Sequence, residues 1–217
     1  MKPVVRVLSA AAGAGINGLL LLVPAIIVGY RPLHDLSGVA AIFGVSAAVA
    51  TEMFFWSAAS APLEAASKTD LDWLNWTQGL ALLTGFEIDA LWRFAHPGGS
   101  PEGSLAWLVG GLVVLTLGAA LRAAAIRQLG AGFTNSALPG NAALCVDRIY
   151  RWLRHPAELG LCLIAAGFAI ALHVWTVAAV TLPLFLLLSI VRMSREDRGL
   201  AQMFPDTFAD YRRRVRL

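Results

Sequence analysis

Residues 104–121 read SLAWLVGGLVVLTLGAAL, eighteen residues without a charge, ending at Arg122. As a helix this run rises about 27 Å, close to the hydrocarbon thickness of a bilayer, about 30 Å. It is too long for a buried strand and apolar on every face, the pattern of a helix with no side turned to water. The run extends to about residue 127. Five further apolar segments lie outward from it, at roughly 4–29, 36–59, 73–92, 157–173 and 174–193. The last two are shorter and are parted only by His173, the pattern of a tight helical hairpin. The expected fold is all-α: a polytopic transmembrane bundle of about five to six spans with short interfacial helices. No linker or low-complexity tract divides residues 1–217, so a single membrane domain is expected.

Composition agrees. The 217 residues are 58% hydrophobic and 14% charged, against about 45–50% and about 25% in soluble domains. A net charge of +3 is too small to indicate nucleic acid as a partner. The two cysteines, Cys145 and Cys162, form neither a disulfide framework nor a metal-ligand spacing. Lys2 and Arg6 precede an apolar stretch reaching about Tyr30. That is longer than the core of a cleaved signal, so an uncleaved first helix is expected.

Basic residues orient the spans. With the N-terminus in the cytoplasm and six alternating spans, 15 of the 17 lysines and arginines share the cytoplasmic side, leaving Arg31 and Arg93. Both termini are expected there, with the polar stretches 128–156 and 194–217. A bacterial cytoplasmic membrane suits so compact a chain. Trp73, Trp76, Trp92 and Trp107 fall near span ends, where indole rings anchor at the interface.

Gly13-Ala-Gly-Ile-Asn-Gly18 is formally a dinucleotide-binding pattern. It lies inside the first span with no strand before it, so close helix packing through small residues is the expectation. Among intramembrane charges, Glu52 has no cation at helical spacing and is a candidate site residue, whereas Asp89 and Arg93 stand i, i+4 and invite an ion pair. Glu87 lies two residues before Asp89.

Two polar segments carry the candidate chemistry. In the first, Arg148, Arg151 and Arg154 recur every three residues around Tyr150 and Trp152, as in a short helix at the membrane surface. His155-Pro156 then opens the fifth span, with proline suited to a first helical turn. In the second, Arg195, Glu196 and Asp197 follow the sixth span. Phe204, Phe208, Tyr211 and Val215 then form an apolar stripe at i, i+4, i+7 and i+11. This amphipathic helix is expected to fold back onto the membrane or the cytoplasmic loops.

Arg154-His155-Pro156-x-x-x-Gly160, followed by a hairpin of helices, the acidic pair Glu196-Asp197, Phe204, and Tyr211-Arg-Arg-Arg-Val215, resembles the isoprenylcysteine carboxyl methyltransferases and related phospholipid N-methyltransferases. Leu129-Gly130 and Ile149-Tyr150-Arg151 fit the same order. The resemblance covers about the last 95 residues, from 121, and the first 100 match only as membrane spans. Glu158 stands where the family usually has tyrosine, Asp197 replaces a glutamate, and Pro205 replaces a glycine.

The resemblance implies a methyltransferase that uses S-adenosyl-L-methionine and acts on a carboxylate, amine or thiol of a lipid-like or small apolar acceptor. Arg154, His155, Pro156, Glu158, Gly160, Arg195, Glu196 and Asp197 become the cofactor-binding candidates, and Glu158 and Glu52 the catalytic ones. Two alternatives stay open: an NADPH-dependent membrane reductase of the steroid-reductase type, and a small transporter. Paired broken-helix repeats, which the latter favours, are not visible.

Overall fold

A computed structural model describes residues 3–27, 29, 35–59, 70–96, 104–130 and 144–215. Lys2, Tyr30, Arg31, Lys68 and Arg216 lie outside the described residues, as do the side chains of Trp73 and Trp76.

Each of the six apolar segments is a helix: α1 (Pro3–Ile27), α2 (Leu36–Ala59), α3 (Asp70–Ala95), α4 (Ser104–Leu129), α5 (Pro156–Leu172) and α6 (Trp175–Met203). A seventh, α7 (Pro205–Arg214), follows. Val4–Ile27, Leu105–Leu129 and Trp175–Met203 are each long and apolar enough to cross a bilayer, and Gly38–Phe54 and Pro156–Leu172 are shorter apolar helices. The side chains leave no doubt about direction. Gly13 of α1 faces Met53 near the end of α2, Asp35 at the start of α2 pairs with Arg93 near the end of α3, and Arg122 near the end of α4 reaches Ala157 at the start of α5. The six helices therefore alternate, with the start of α1 and the end of α6 at one end of the bundle.

Small residues set the closest contact. Gly111 and Gly118 of α4 face Gly167 and Gly160 of α5, each pair seven residues apart. That repeat keeps one stripe facing the partner helix, and without Cβ atoms the two backbones approach directly. α4 and α5 make the most extensive helix–helix contact in the bundle. The glycines at 13 and 18 work likewise, against Met53 and Ser46 of α2, with Asn17 Nδ2 donating to Ser46 Oγ at 3.1 Å. The motif at 13–18 is helix packing.

α5 and α6 form the expected hairpin. His173 takes the left-handed conformation (φ 56°, ψ 44°) that ends α5, and α6 begins two residues later. Trp107, His173 and Trp175 cluster around this turn. α6 does not stop where its hydropathy falls at 193. It continues to Met203, about 44 Å in all. Loss of apolar character marks a water boundary, but Arg, Glu, Leu and Gln sustain a helix beyond it. Glu196 and Asp197 are thus carried on a helical extension of the membrane span instead of a loose tail.

Two other expectations change form. Residues 148–151 are a short 3-10 turn, entered through Arg148 at φ 49°. Gln128 holds it, donating from Nε2 to the Asp147 carbonyl at 2.6 Å and accepting from Ile149 N at 3.2 Å. Arg148, Arg151 and Trp152 are exposed, whereas Arg154 turns inward. The i, i+4 pair of Asp89 and Arg93 does not form. Arg93 Nε donates to Asp35 Oδ2 at 2.8 Å, while Asp35 Oδ1 accepts from Gly38 N at 2.9 Å and caps α2. One carboxylate there caps a helix and ties it to α3, a gain that a local pair lacks. Asp89 accepts instead from the Thr181 hydroxyl of α6 at 3.3 Å.

The stripe of α7 packs as expected, on the loop side. Phe208, Tyr211 and Val215 are buried against Leu144, Val146, Leu200 and Phe204. Tyr211 Oη donates to the Tyr150 carbonyl at 2.6 Å and ties α7 to the 3-10 turn. Burial pushes the Tyr211 hydroxyl up to about 12 and that of Tyr150 up as well, so the Tyr211 donor persists at any ordinary pH.

Candidate functional site

Where α5 begins, Pro156 occupies the first helical turn and His155 the cap position. The His155 side chain makes no cap bond. It points at α6, where Nε2 lies 3.0 Å from Asp197 Oδ1 and Nδ1 lies 3.7 Å from Glu196 Oε2. Arg154 Nη1 donates to the other oxygen, Asp197 Oδ2, at 2.6 Å. One carboxylate thus holds a guanidinium and an imidazole together across 42 and 43 residues of sequence. Glu196 is the more open acid, with 40% of its side chain exposed against 17% for Asp197. Arg195 is half-buried and turned about 100° around the helix from Glu196.

Burial by itself would lower the His155 imidazole. The hydrogen bond and charge of Glu196, with the charge of Asp197, outweigh it and hold the group above its ordinary value of 6.5. The cationic form is therefore the one the fold favours. Its stabilisation is complete below 6.5 and disappears as pH rises through the raised native value. A series of thermal unfolding midpoints should decline over that upper window in the parent protein and less so in His155→Gln. Parallel curves would exclude the ionic contribution.

Deeper in the bundle lies a second polar cluster. Glu158, 2% exposed, accepts from Gln78 Nε2 of α3 at 2.5 Å and is ion-paired with Arg192 of α6. Gln78 also donates to Ser189 Oγ at 2.8 Å. Beside it, Arg122 joins the Ala157 carbonyl at 3.0 Å to Glu52 Oε1 of α2 at 2.5 Å. Arg192 links the layers, because it interacts electrostatically with Glu196, one turn further along α6, as well as with Glu52 and Arg122. Buried charges demand such pairing.

The sequence candidates therefore divide. Arg154, His155, Glu196 and Asp197 converge. Glu158 and Glu52 sit below them, each matched to an arginine. Pro156 shapes the helix start, and Gly160 lies against α4, where an added Cβ would meet the Gly118 carbonyl at 2.7 Å. Sequence reasoning missed Gln78, Ser189 and the bridging role of Arg192 and Arg122, both read only as topology signals. The i, i+4 spacing of Arg192 and Glu196 was the available clue.

Residues 111–202 match the model of the isoprenylcysteine carboxyl methyltransferase (ICMT) family. This stretch, 92 of the 217 residues, is similar to that family. It runs from the glycine stripe of α4 to the last turn of α6 and includes Arg122, Arg154, His155, Glu158, Arg192, Glu196 and Asp197, but neither Glu52 nor Gln78. No curated protein and no solved structure matches the chain. The chain thus joins a segment similar to the ICMT family to helices long and apolar enough to cross a membrane.

Proposed function

We propose that the protein transfers the methyl group of S-adenosyl-L-methionine to a lipid-like or small apolar acceptor carrying a carboxylate, amine or thiol. The observation that carries this reading is the constellation of Arg154, His155, Glu196 and Asp197, in which both charge signs are presented within a few ångströms. The donor bears an ammonium, a carboxylate and a sulfonium, so a site of mixed charge suits it.

When bound, S-adenosylmethionine supplies an electrophilic methyl group on a sulfonium. The protein's share of such a displacement is to align the reactants and exclude water. Glu196, the more exposed acid, takes the ammonium. Arg154 and Arg195 orient the carboxylate, Arg154 by charge-assisted hydrogen bonding. Asp197 keeps Arg154 and His155 in place. Glu158 and Glu52 serve as counterions that position Arg192 and Arg122 beneath the donor, where the acceptor's reacting group arrives. The acceptor enters sideways between the helices, and the donor from the aqueous face, a cytoplasmic one in the orientation that the arginine distribution supports.

The test is calorimetric titration of the detergent-purified protein with S-adenosylmethionine and S-adenosylhomocysteine, with NADPH alongside. Micromolar binding of the nucleosides, weakened at least about tenfold in His155→Ala and Glu196→Ala, is the expected result. Parental affinity in both variants would remove the site assignment. Binding of NADPH alone would replace the reading with a reductase.

A further inference from the structure

The 3-10 turn at 148–151 carries a basic and aromatic surface that the donor constellation does not use. Gln128 of α4 holds the turn, and its charged side chains face outward. Arg148 and Arg151 are exposed, and neither has an ion-pair partner among the described residues. Trp152 is 74% exposed, with the Arg151 guanidinium 5.6 Å from its ring centroid. Arg154, by contrast, turns inward to Asp197. Arg148 sits at φ 49°, a left-handed conformation that glycine or asparagine adopts with less strain. The residue best suited to that backbone is not the one present, and what arginine adds there is an outward charge.

The neighbouring helices set the depth of this surface. α5 has 17 residues, about 26 Å, less than the hydrocarbon thickness of about 30 Å. The turn that leads into it therefore lies at headgroup level. Exposed indoles bracket α5, Trp152 before it and the paired Trp107 and Trp175 at its other end, as interfacial aromatics bracket a span. On α4, the exposed Val109, Val113 and Leu117 mark a face turned to lipid. Arg127, also exposed, lies on that same face about five turns from Val109. It stands next to Gln128, so the lipid-facing stripe of α4 runs up to the turn. The basic last turn of α7 is tied alongside, because Tyr211 donates to the Tyr150 carbonyl.

We propose that this surface binds the headgroup phosphate of an anionic phospholipid of the surrounding bilayer. Arg148 and Arg151 donate to the phosphate oxygens, and the acyl chains lie along the α4 face at Leu117 and Val113. A guanidinium offers paired donors that match a phosphate. Stacking over an indole steadies Arg151 while leaving its N–H edge open. An anionic lipid is favoured over a zwitterionic one because a choline ammonium beside these arginines is repelled, whereas basic residues at the membrane edge attract net negative headgroups. A lipid is favoured over a soluble phosphate because only a lipid also uses Trp152 and the apolar stripe of α4. Asp147 is the single acid of residues 147–152 and does not cancel the two arginines.

The experiment titrates the full chain, in detergent, with phosphatidylglycerol or phosphatidylcholine and reads bound lipid by native mass spectrometry. The parent should bind phosphatidylglycerol at least about tenfold more tightly. Arg148→Gln combined with Arg151→Gln should remove that preference. Arg198→Gln, which deletes an exposed arginine of the α6 extension, should keep it. In nanodiscs, the fluorescence component lost in Trp152→Phe should be quenched more by brominated phosphatidylglycerol than by brominated phosphatidylcholine. Arg148→Asn relieves the left-handed backbone, so its thermal midpoint should hold or rise while its phosphatidylglycerol affinity falls. Should the double variant fail to fold, Arg148→Asn decides alone. Equal affinity for the two lipids, or an undiminished preference in the arginine variants, would overturn the proposal. So would an equal loss in Arg198→Gln, the sign of diffuse attraction, or full displacement of the lipid by glycerol phosphate, the sign of a soluble-anion site.

Discussion

Replacing Asp197 with alanine should abolish measurable donor binding while leaving the helical bundle assembled. Its carboxylate accepts from Arg154 at 2.6 Å and from His155 at 3.0 Å, and all three side chains are at most 17% exposed. Hydrogen bonds to charged groups contribute about 1.5–3 kcal/mol each. Removing one partner of a buried pair costs about 2–5 kcal/mol, because the other charge is left unmatched. Losing the shared anion frees both cations at once. Arg154 and His155 then repel each other, and His155 loses one of the two carboxylates that hold it cationic. Affinity for S-adenosylhomocysteine should fall by about 100-fold or more. Asp197→Asn should fall between, since the amide retains the shape and one acceptor oxygen but not the charge. The constellation lies where the start of α5 meets the last turns of α6, outside the glycine-packed seam, so circular dichroism should change little. Parental affinity in Asp197→Ala would mean that the cluster only braces the hairpin.

The second large effect is steric. Gly118→Ala should destabilise the protein, although alanine is the better helix former by about 1 kcal/mol. A Cβ at Gly118 would lie 2.6 Å from the Gly160 carbonyl oxygen and 2.8 Å from both Ile164 N and Leu163 Cβ. Two of those atoms are backbone and cannot swing aside, so α4 and α5 must separate. Overpacking of this kind costs about 1–3 kcal/mol, and Gly118→Leu should exceed that range and fail to assemble. The separation would also draw Arg122 away from the Ala157 carbonyl and disturb Glu52, so donor binding should weaken in parallel. Gly79→Ala is the control, because nothing lies within 4 Å of its Cβ position. Thermal unfolding of both variants in one detergent decides the matter. Gly118→Ala as stable as Gly79→Ala would show that the seam is looser than its geometry indicates.

Much of the fold was legible in the residues. Six runs such as 104–121 have one physical solution in a bilayer, because an unpaired backbone group in hydrocarbon is costly and a helix pairs its own. The α7 stripe at Phe204, Phe208, Tyr211 and Val215 was equally plain, since helical periodicity is local. The family resemblance put the His155 segment and the acidic pair into one candidate site, but the contact of His155 with Glu196 and Asp197 came only with the fold. The end of α6 was not, because hydropathy reports the solvent and not the backbone.

The sequence by itself therefore determined the membrane class, the helices and their alternation, and the two segments that meet at the candidate site. Tertiary structure alone decided the partners. Gln78, Glu158, Ser189 and Arg192 join across as many as 111 residues, and Arg93 passes over Asp89 for Asp35. Which charge meets which depends on how closely and in what rotation the helices pack. That is set by the glycine seam of α4 and α5 and by the sum of contacts around it. A buried charge pairs with whatever that packing brings within reach, and sequence spacing records only neighbours on the same helix.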